Sequence, residues 1–249
     1  MRLTVLGCAG SFPGPEAACS AYLVEADGFA LMLDFGTGSL SALQRFADLR
    51  RIDAILLSHL HCDHILDACS YVVVRRWAPD GPYPLVPVYG PAGARDRLTA
   101  VYGSAEEGPL ENVYAFHTLR PGTFDLGPFT VTVEQVNHPV ETYGVRLEHG
   151  GRSLAYSADT GTCEALIRLA QHADAFLCEA SYLDGEDNPP GLHLTGREAG
   201  EAAAKAGVGR LLLTHLVNAW GDPAATYEAA SACFSGPVDL VAPGERYEI

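Results

Sequence analysis

Three histidines and an aspartate lie close together in the stretch LLSHLHCDHILD, residues 56–67. They are His59, His61, Asp63 and His64, in a pattern H-x-H-x-D-H that chance produces in about one of a thousand chains of this composition. Zinc binds imidazole nitrogen and carboxylate oxygen, and a catalytic zinc site keeps one position open for water. The first two histidines can bind one ion, while the adjacent aspartate and histidine face away and can bind a second.

Two ions need more ligands than this stretch provides, and the remaining candidates follow predicted buried strands. They are His138 in EQVNHP, Asp159 in YSADTG and His215 in LLLTHL. Strand ends are places where a rigid scaffold presents functional side chains. We therefore expect these three residues to complete a two-metal site.

Apolar patterning predicts the elements that position these ligands. Strands are expected at RLTVLG, AYLVEA and FALMLDFG, a helix at SLSALQRFADL, and a buried strand at IDAILLSH that leads into a helix at ILDACSYVVVRRWA. Between residues 112 and 158 we expect four strands, NVYAFHTL, FTVTVEQVNH, TYGVRLEHGG and RSLAYSAD. The histidine motif should then lie on a strand-to-helix loop.

The second half of the chain repeats this order of strands followed by helices. Thr195 and Glu198 have the spacing of a capping box, Gly207 closes the same helix, and Asp222 with Pro223 begins the last one. Two such blocks predict two sheets packed together with helices outside. Lacking a linker or repeat, residues 1–249 are expected to form a single domain.

Composition limits the classes of protein that could contain such a site. The 249 residues are 48% apolar, and no apolar run has the roughly 18 to 20 residues that span a bilayer. The start also lacks the apolar core of a secretory signal. Seven scattered cysteines, none spaced C-x-x-C, argue against a disulfide framework. We expect a cytoplasmic protein with no membrane partner.

The chain carries a formal net charge of −15. Such a field repels polyanions, so we expect no extended nucleic-acid interface. A small anionic substrate is compatible with this charge. The oligomeric state is left open, with a homodimer as one alternative.

The ordered ligand set resembles the metallo-β-lactamase superfamily, and the resemblance runs nearly end to end. It implies an α/β fold, namely an αββα sandwich of two mixed β-sheets with outer helices. It also implies a site for two divalent metal ions, with zinc as the expected metal and manganese or iron as alternatives. By this resemblance one ion takes His59, His61 and His138, and the other takes Asp63, His64 and His215, with Asp159 bridging them.

Within the superfamily the chain is most similar to the ribonuclease Z branch. The segments that carry this similarity are LHLTGREAGEAAAKAGVGRLLLTH and LCEASY. The match implies that His193 donates a proton to the leaving oxygen and that Glu179 orients His193, and it places Asp63 with them among the catalytic residues. A phosphodiester leaving group needs such protonation, and histidine titrates near neutrality. The alternative is that His193 is a solvated loop histidine.

One departure from that branch bears on the substrate. In ribonuclease Z a long arm that binds tRNA is inserted between the positions that match His138 and Asp159. Here these two residues are 159 − 138 = 21 positions apart, which is enough for a hairpin only. Short relatives without the arm hydrolyse cyclic nucleotides, and the chain is similar to them in GCAGSFPGP, LDFGTGSLSALQR and SHLHCDH.

We therefore expect a phosphodiesterase that acts on a small or cyclic nucleotide, such as 3′,5′-cyclic AMP, by attack of a metal-bridging hydroxide. The alternatives are a ribonuclease Z-like RNA nuclease and a thioesterase or lactonase of the same fold. A β-lactamase ranks last because no export signal is visible.

Four further residues near the motif are interpreted without a catalytic role. We expect Arg75 and Arg76 to be solvated at a helix end, and Cys62 to point away from the metals. Asp34, in LDFGTG, is expected to brace the metal loops by hydrogen bonds.

Overall fold

Strands and helices alternate along the chain, and the computed structural model describes residues 1–103, 110–217 and 219–249. The strands are β1 (Arg2–Ala9), β2 (Ala18–Cys19), β3 (Ala21–Ala26), β4 (Phe29–Leu33), β5 (Ala54–Leu56), β6 (Val86–Gly90), β7 (Tyr114–Thr118), β8 (Gly122–Leu126), β9 (Phe129–Gln135), β10 (Tyr143–His149), β11 (Arg152–Tyr156), β12 (Ala175–Glu179), β13 (Leu211–Thr214), β14 (Val238–Leu240) and β15 (Arg246–Glu248). The α-helices are α1 (Ser39–Leu43), α2 (Cys62–Trp77), α3 (Ala94–Tyr102), α4 (Glu164–Ala170), α5 (Gly196–Ala206) and α6 (Pro223–Cys233). Two short 3₁₀ turns occupy Leu49–Arg51 and Leu110–Asn112.

These strands form two mixed sheets. The first has the order β15-β1-β3-β4-β5-β6-β7, with β2 also paired to β1, and the second has the order β14-β13-β12-β11-β10-β9-β8. In the first sheet β4, β5, β6 and β7 are parallel, and in the second β11, β12, β13 and β14 are parallel. The remaining strands pair antiparallel, apart from β2, which is parallel to β1.

The side chains of each sheet alternate between two hydrophobic clusters, because successive residues of a strand point to opposite faces. Val24 in β3 and Leu177 in β12 lie in the cluster between the sheets. Leu23 lies in the cluster under α1, α2 and α3, and Phe176 in the cluster under α4, α5 and α6. The predicted αββα sandwich is confirmed.

The parallel strands determine where the ligands meet. Parallel strands present their carboxyl ends at one edge of a sheet, which is where open α/β sheets bind ligands. His59 follows β5, Asp159 follows β11, Glu179 ends β12 and His215 follows β13. Asp159, Glu179 and His215 therefore lie at neighbouring strand ends of the second sheet, and His59 lies after the end of a parallel strand of the first sheet.

The helix α1 and the strand β8 are two of the elements that differ from the sequence prediction. The helix expected over SLSALQRFADL is only the five-residue α1, whose N-cap Gly38 supplies no side-chain cap. Strand β8 was not predicted, because its sequence GTFDL carries polar, exposed residues on an edge strand. The helix α5 begins with the predicted capping box of Thr195 and Glu198, and Asp222 caps α6 as predicted.

The predicted hairpin fills the interval between His138 and Asp159. Strands β10 and β11 pair antiparallel across a tight turn at Gly150 and Gly151. No helix in the described part of the chain is long and apolar enough to cross a membrane.

Candidate metal centre

Four residues converge in a first ligand cluster. The donor atoms of His59, His61, His138 and Asp159 all lie within 4.8 Å of one another. Nδ1 of His61 lies 3.0 Å from Nε2 of His59 and 3.3 Å from Nε2 of His138. Three imidazoles thus direct ring nitrogens at one point.

A second cluster shares one carboxylate with the first. It contains Asp63, His64, Asp159 and His215, whose donor atoms also lie within 4.8 Å of one another. Nε2 of His64 is 3.2 Å from Nε2 of His215, which is 3.3 Å from Oδ2 of Asp63. Asp159 belongs to both clusters, so all seven residues singled out from the sequence meet in one place.

The chemistry of these clusters fits divalent cations. Burial lowers the pKa of His59, His61 and His138, which favours neutral rings with free lone pairs. Oδ1 of Asp159 is buried and accepts no hydrogen bond from any described residue, although Nε2 of His64 lies 3.2 Å away. A buried carboxylate oxygen without a donor is costly unless a cation compensates it.

Asp34 sits behind the second cluster, as the sequence predicts. Its carboxylate is fully buried and accepts hydrogen bonds from the backbone and hydroxyl of Ser58 and from the hydroxyl of Tyr156. Its Oδ2 also lies 2.8 Å from Nδ1 of His64. Because Nδ1 is engaged in this way, Nε2 of His64 is left to face the cluster.

Two further outer contacts were missed in the sequence. Oγ of Ser181 lies 2.7 Å from Nδ1 of His215, and Nδ1 of His138 donates to the carbonyl of Leu192 at 2.9 Å. Ser181 follows Glu179 by two residues in LCEASY, so its position beside that motif was the available signal. The carbonyl of Leu192 carries no sequence signal, because any residue type supplies one.

Strained backbone surrounds the two clusters. Ser11, Asp34, Ala158 and His215 all have positive φ, from 53° to 64°, which is uncommon for residues other than glycine. Such conformations persist where the surrounding structure holds them, and they concentrate at functional sites. Gly36 allows a close approach here, since a Cβ at this position would lie 2.0 Å from the carbonyl oxygen of Asp63.

His193 lies beside both clusters. The centre of its ring is 5.6 Å from that of His138 and 5.4 Å from that of His215. Nδ1 of His193 lies 2.8 Å from Oε1 of the buried Glu179. Its side chain is 11% exposed. The structure thus shows a contact between Glu179 and His193 and a largely buried imidazole, while the proton-donating and orienting roles of the two residues stay predictions.

The electrostatics of this pair favour a protonated imidazole. Burial lowers the pKa of His193, but the carboxylate of Glu179 outweighs it, and the pKa is raised to about 9. No residue in the described ranges hydrogen-bonds to Nε2 of His193. A proton on that atom would be available to a bound molecule.

The remaining candidates lie outside the clusters. Cys62 is exposed, and its sulfur is 3.8 Å from Nη2 of Arg97. Arg75 was expected to be solvated, and this is wrong: its guanidinium is buried, donates to backbone carbonyls and packs on the ring of Tyr83. Packing against the loop after α2 removes it from solvent. Arg76 lies over the ring of Tyr102.

A sequence model described as a beta-lactamase superfamily domain matches residues 32–216, about three quarters of the chain. The chain belongs to the metallo-β-lactamase superfamily. It falls in the ribonuclease Z-like branch of that superfamily and is a metal-dependent hydrolase, and its two His and Asp clusters have the donor geometry that could hold metal ions.

Several curated proteins and solved structures match this chain over most or all of their length. The protein ML1173 of Mycobacterium leprae is 44% identical, over all of this chain and 89% of the relative. Ribonuclease Z of Mycobacterium bovis is 31% identical, over all of this chain and 98% of the relative. The metallo-β-lactamase fold protein YhfI of Bacillus subtilis is 31% identical over the full length of both chains. Its crystal structure superposes with a TM-score of 0.87 over 99% of this chain and 98% of YhfI.

Proposed function

We propose that the protein is a phosphodiesterase with two metal ions that hydrolyses a small or cyclic nucleotide phosphodiester, with 3′,5′-cyclic AMP as the first candidate substrate. The observation that carries this proposal is the position of His193. Its ring lies within 6 Å of a ligand histidine from each cluster, and Glu179 holds its other nitrogen. A proton donor is thus placed at the edge of the metal centre, where a leaving oxygen needs one.

Metal binding and proton donation are assigned to different residues of the chain. One ion would be held by His59, His61 and His138. The other would be held by Asp63, His64 and His215, and Asp159 would bind both ions. When bound, such ions stabilise negative charge on phosphoryl oxygens and lower the pKa of water. Zinc suits this mixture of nitrogen and oxygen ligands, with manganese and iron as alternatives. His193 keeps its proton for the departing ribose oxygen because Glu179 raises its pKa.

The size of the substrate is inferred from the interval between His138 and Asp159. That interval forms the hairpin of β10 and β11 and contains no long arm. A net charge of −15 also opposes a long polyanion. A small diester needs no arm and carries far fewer phosphate charges than an RNA, so neither the short hairpin nor the negative net charge excludes it.

An RNA nuclease is the second candidate. It is favoured by the 31% identity to ribonuclease Z of Mycobacterium bovis over the whole of this chain. Both candidates use the same metal centre and proton donor, so only the substrate separates them.

A substrate panel on metal-quantified protein tests the choice. The panel contains 3′,5′-cyclic and 2′,3′-cyclic nucleotides, bis(p-nitrophenyl) phosphate and precursor tRNA. We expect turnover of a cyclic nucleotide and weak binding of tRNA even at low salt, where phosphate contacts are strongest. Asp159→Ala should abolish the activity, while His117→Ala, an exposed histidine stacked on Tyr89, should retain it. Efficient processing of precursor tRNA without hydrolysis of small diesters would overturn the proposal.

A further inference from the structure

A half-buried phenylalanine and an exposed tryptophan form an aromatic pair to which the proposed metal chemistry assigns no role. The ring centres of Phe12 and Trp220 are 5.3 Å apart, with planes inclined at 53°. Trp220 is 68% exposed, the largest exposure of any large apolar side chain in the described part of the chain. An indole held against another ring, yet open to solvent on much of its surface, is suited to stack on a planar ligand.

The segment that carries Phe12 is fastened to the metal centre. The backbone N–H of Ser11 donates to Oδ2 of Asp63 at 2.9 Å, so the residue next to Phe12 contacts a carboxylate of the second cluster. Gly10 donates to the carbonyl of Leu216 at 2.9 Å. Gly10 also packs on the backbone of His215, since a Cβ there would lie 2.5 Å from the carbonyl oxygen of His215.

The segment that carries Trp220 begins at the second ligand cluster, directly after His215. Trp220 follows His215 by five residues, and the backbone N–H of Gly221, the next residue, donates to the carbonyl of Val217 at 2.8 Å. Both rings therefore belong to segments anchored at the second ligand cluster, although 208 residues separate them in the chain. Phe12 is thus one residue away from a direct contact with the second ligand cluster, and Trp220 packs on Phe12.

We propose that Phe12 and Trp220 form a stacking platform for the base of the nucleotide substrate, with Trp220 as the principal contact. This inference rests on the proposed function. A nucleobase carries no net charge, so it can stack on an acidic protein that repels longer polyanions. Stacking on an aromatic face accepts every base, because each base has a π-face. The platform would thus bind the base while the metal centre binds the phosphodiester.

Two substrates that differ only in the base separate binding of the base from binding of the phosphodiester. The rates for 3′,5′-cyclic AMP and for the base-free ribose 3′,5′-cyclic phosphate are compared for the wild type, Trp220→Ala and Trp220→Phe. We expect Trp220→Ala to raise KM for the nucleotide by about 5- to 100-fold and to leave KM for the base-free substrate nearly unchanged. Trp220→Phe should recover part of the loss. Trp77→Ala removes the other tryptophan, which is 62% exposed at the end of α2, and should change neither KM.

A binding measurement adds a readout independent of turnover. The chain has two tryptophans, so Trp77→Phe leaves Trp220 as the single indole fluorophore. Adenosine monophosphate should quench its fluorescence and ribose 5-phosphate should not. Replacing Phe12 by alanine in this background should weaken the binding, since Phe12 holds the indole in place.

The outcomes distinguish the platform from the proposed function. Equal KM changes for both substrates in Trp220→Ala, or none, would overturn the platform while leaving the phosphodiesterase proposal intact. Quenching by adenosine monophosphate in a protein that hydrolyses no phosphodiester would support the platform and overturn the proposed reaction. Absence of both quenching and hydrolysis would overturn the two together.

Discussion

Nδ1 of His193 lies 2.8 Å from Oε1 of Glu179, which also accepts the backbone N–H of Thr160 at the same distance. The other carboxylate oxygen of Glu179 accepts backbone N–H groups from Ser181 and Leu194. Glu179 is thus held by the backbone, and it in turn holds the imidazole. This geometry makes proton donation by His193 separable from metal binding, because neither residue is among the seven proposed ligands.

Replacing His193 by alanine should impair leaving-group chemistry alone. We expect His193→Ala to keep its metal content and to lower kcat by roughly 10² to 10⁴ for a substrate with an alkoxide leaving group. With bis(p-nitrophenyl) phosphate, whose leaving group departs without protonation, the variant should be nearly unimpaired. Steady-state rates on both substrates, with metal analysis of the same preparations, check this expectation. Equal losses on the two would show that His193 binds phosphate or supports structure.

Replacing Glu179 by glutamine should move the pH profile. The carboxylate raises the pKa of His193 to about 9 against the lowering by burial. A general acid must be protonated, so activity falls as the pH rises through its pKa. Without the carboxylate this pKa falls, and the alkaline limb of kcat/KM should shift to lower pH. An unchanged alkaline limb in Glu179→Gln would assign that limb to another group.

Metal content should follow the two ligand clusters. We expect close to two ions per wild-type chain by elemental analysis, and loss of metal together with activity in His59→Ala and Asp159→Ala. The loss should be greater for Asp159→Ala, because this carboxylate belongs to both clusters. His117→Ala is the matched control and should retain both ions. Full activity of the wild type with a single ion would contradict the scheme.

Asp34 should affect metal affinity through His64. Asp34→Asn replaces a carboxylate oxygen that faces Nδ1 of His64 and accepts from Ser58 and Tyr156. Losing an outer partner of this kind costs about 10- to 100-fold in metal affinity. Competition with a chelator measures the change, and the thermal midpoint of the metal-loaded protein reports whether the variant folds.

A matched control for Asp34→Asn is Asp174→Asn. Asp174 also accepts several hydrogen bonds, from Arg152 and Ser153, but it lies before β12, at the opposite end of the strand from the ligands. Its replacement should leave the chelator competition unchanged. Similar losses of affinity in both variants would mean that general destabilisation, and not the contact with His64, explains the effect.

Local chemistry was predictable from the sequence. The spacing of the H-x-H-x-D-H motif predicted four ligands at one strand-to-helix junction. In the structure His59 and His61 lie between β5 and α2, and Asp63 and His64 lie in the first turn of α2. Buried strands ending at His138, Asp159 and His215 could be recognised because apolar runs and the polar residue after them are adjacent in the chain. The capping box of α5 is equally local.

Tertiary structure alone decided the contacts between distant segments. Asp34 meets His64 across 30 residues, Ser181 meets His215 across 34, and Phe12 meets Trp220 across 208. Periodicity predicts strands, but it does not say which strands pair or in what order. In the second sheet those pairings bring the carboxyl ends of β11, β12 and β13 together, and packing of the two sheets brings the end of β5, in the first sheet, to the same ligand clusters. The outer contacts of the metal centre therefore follow from packing of the whole chain.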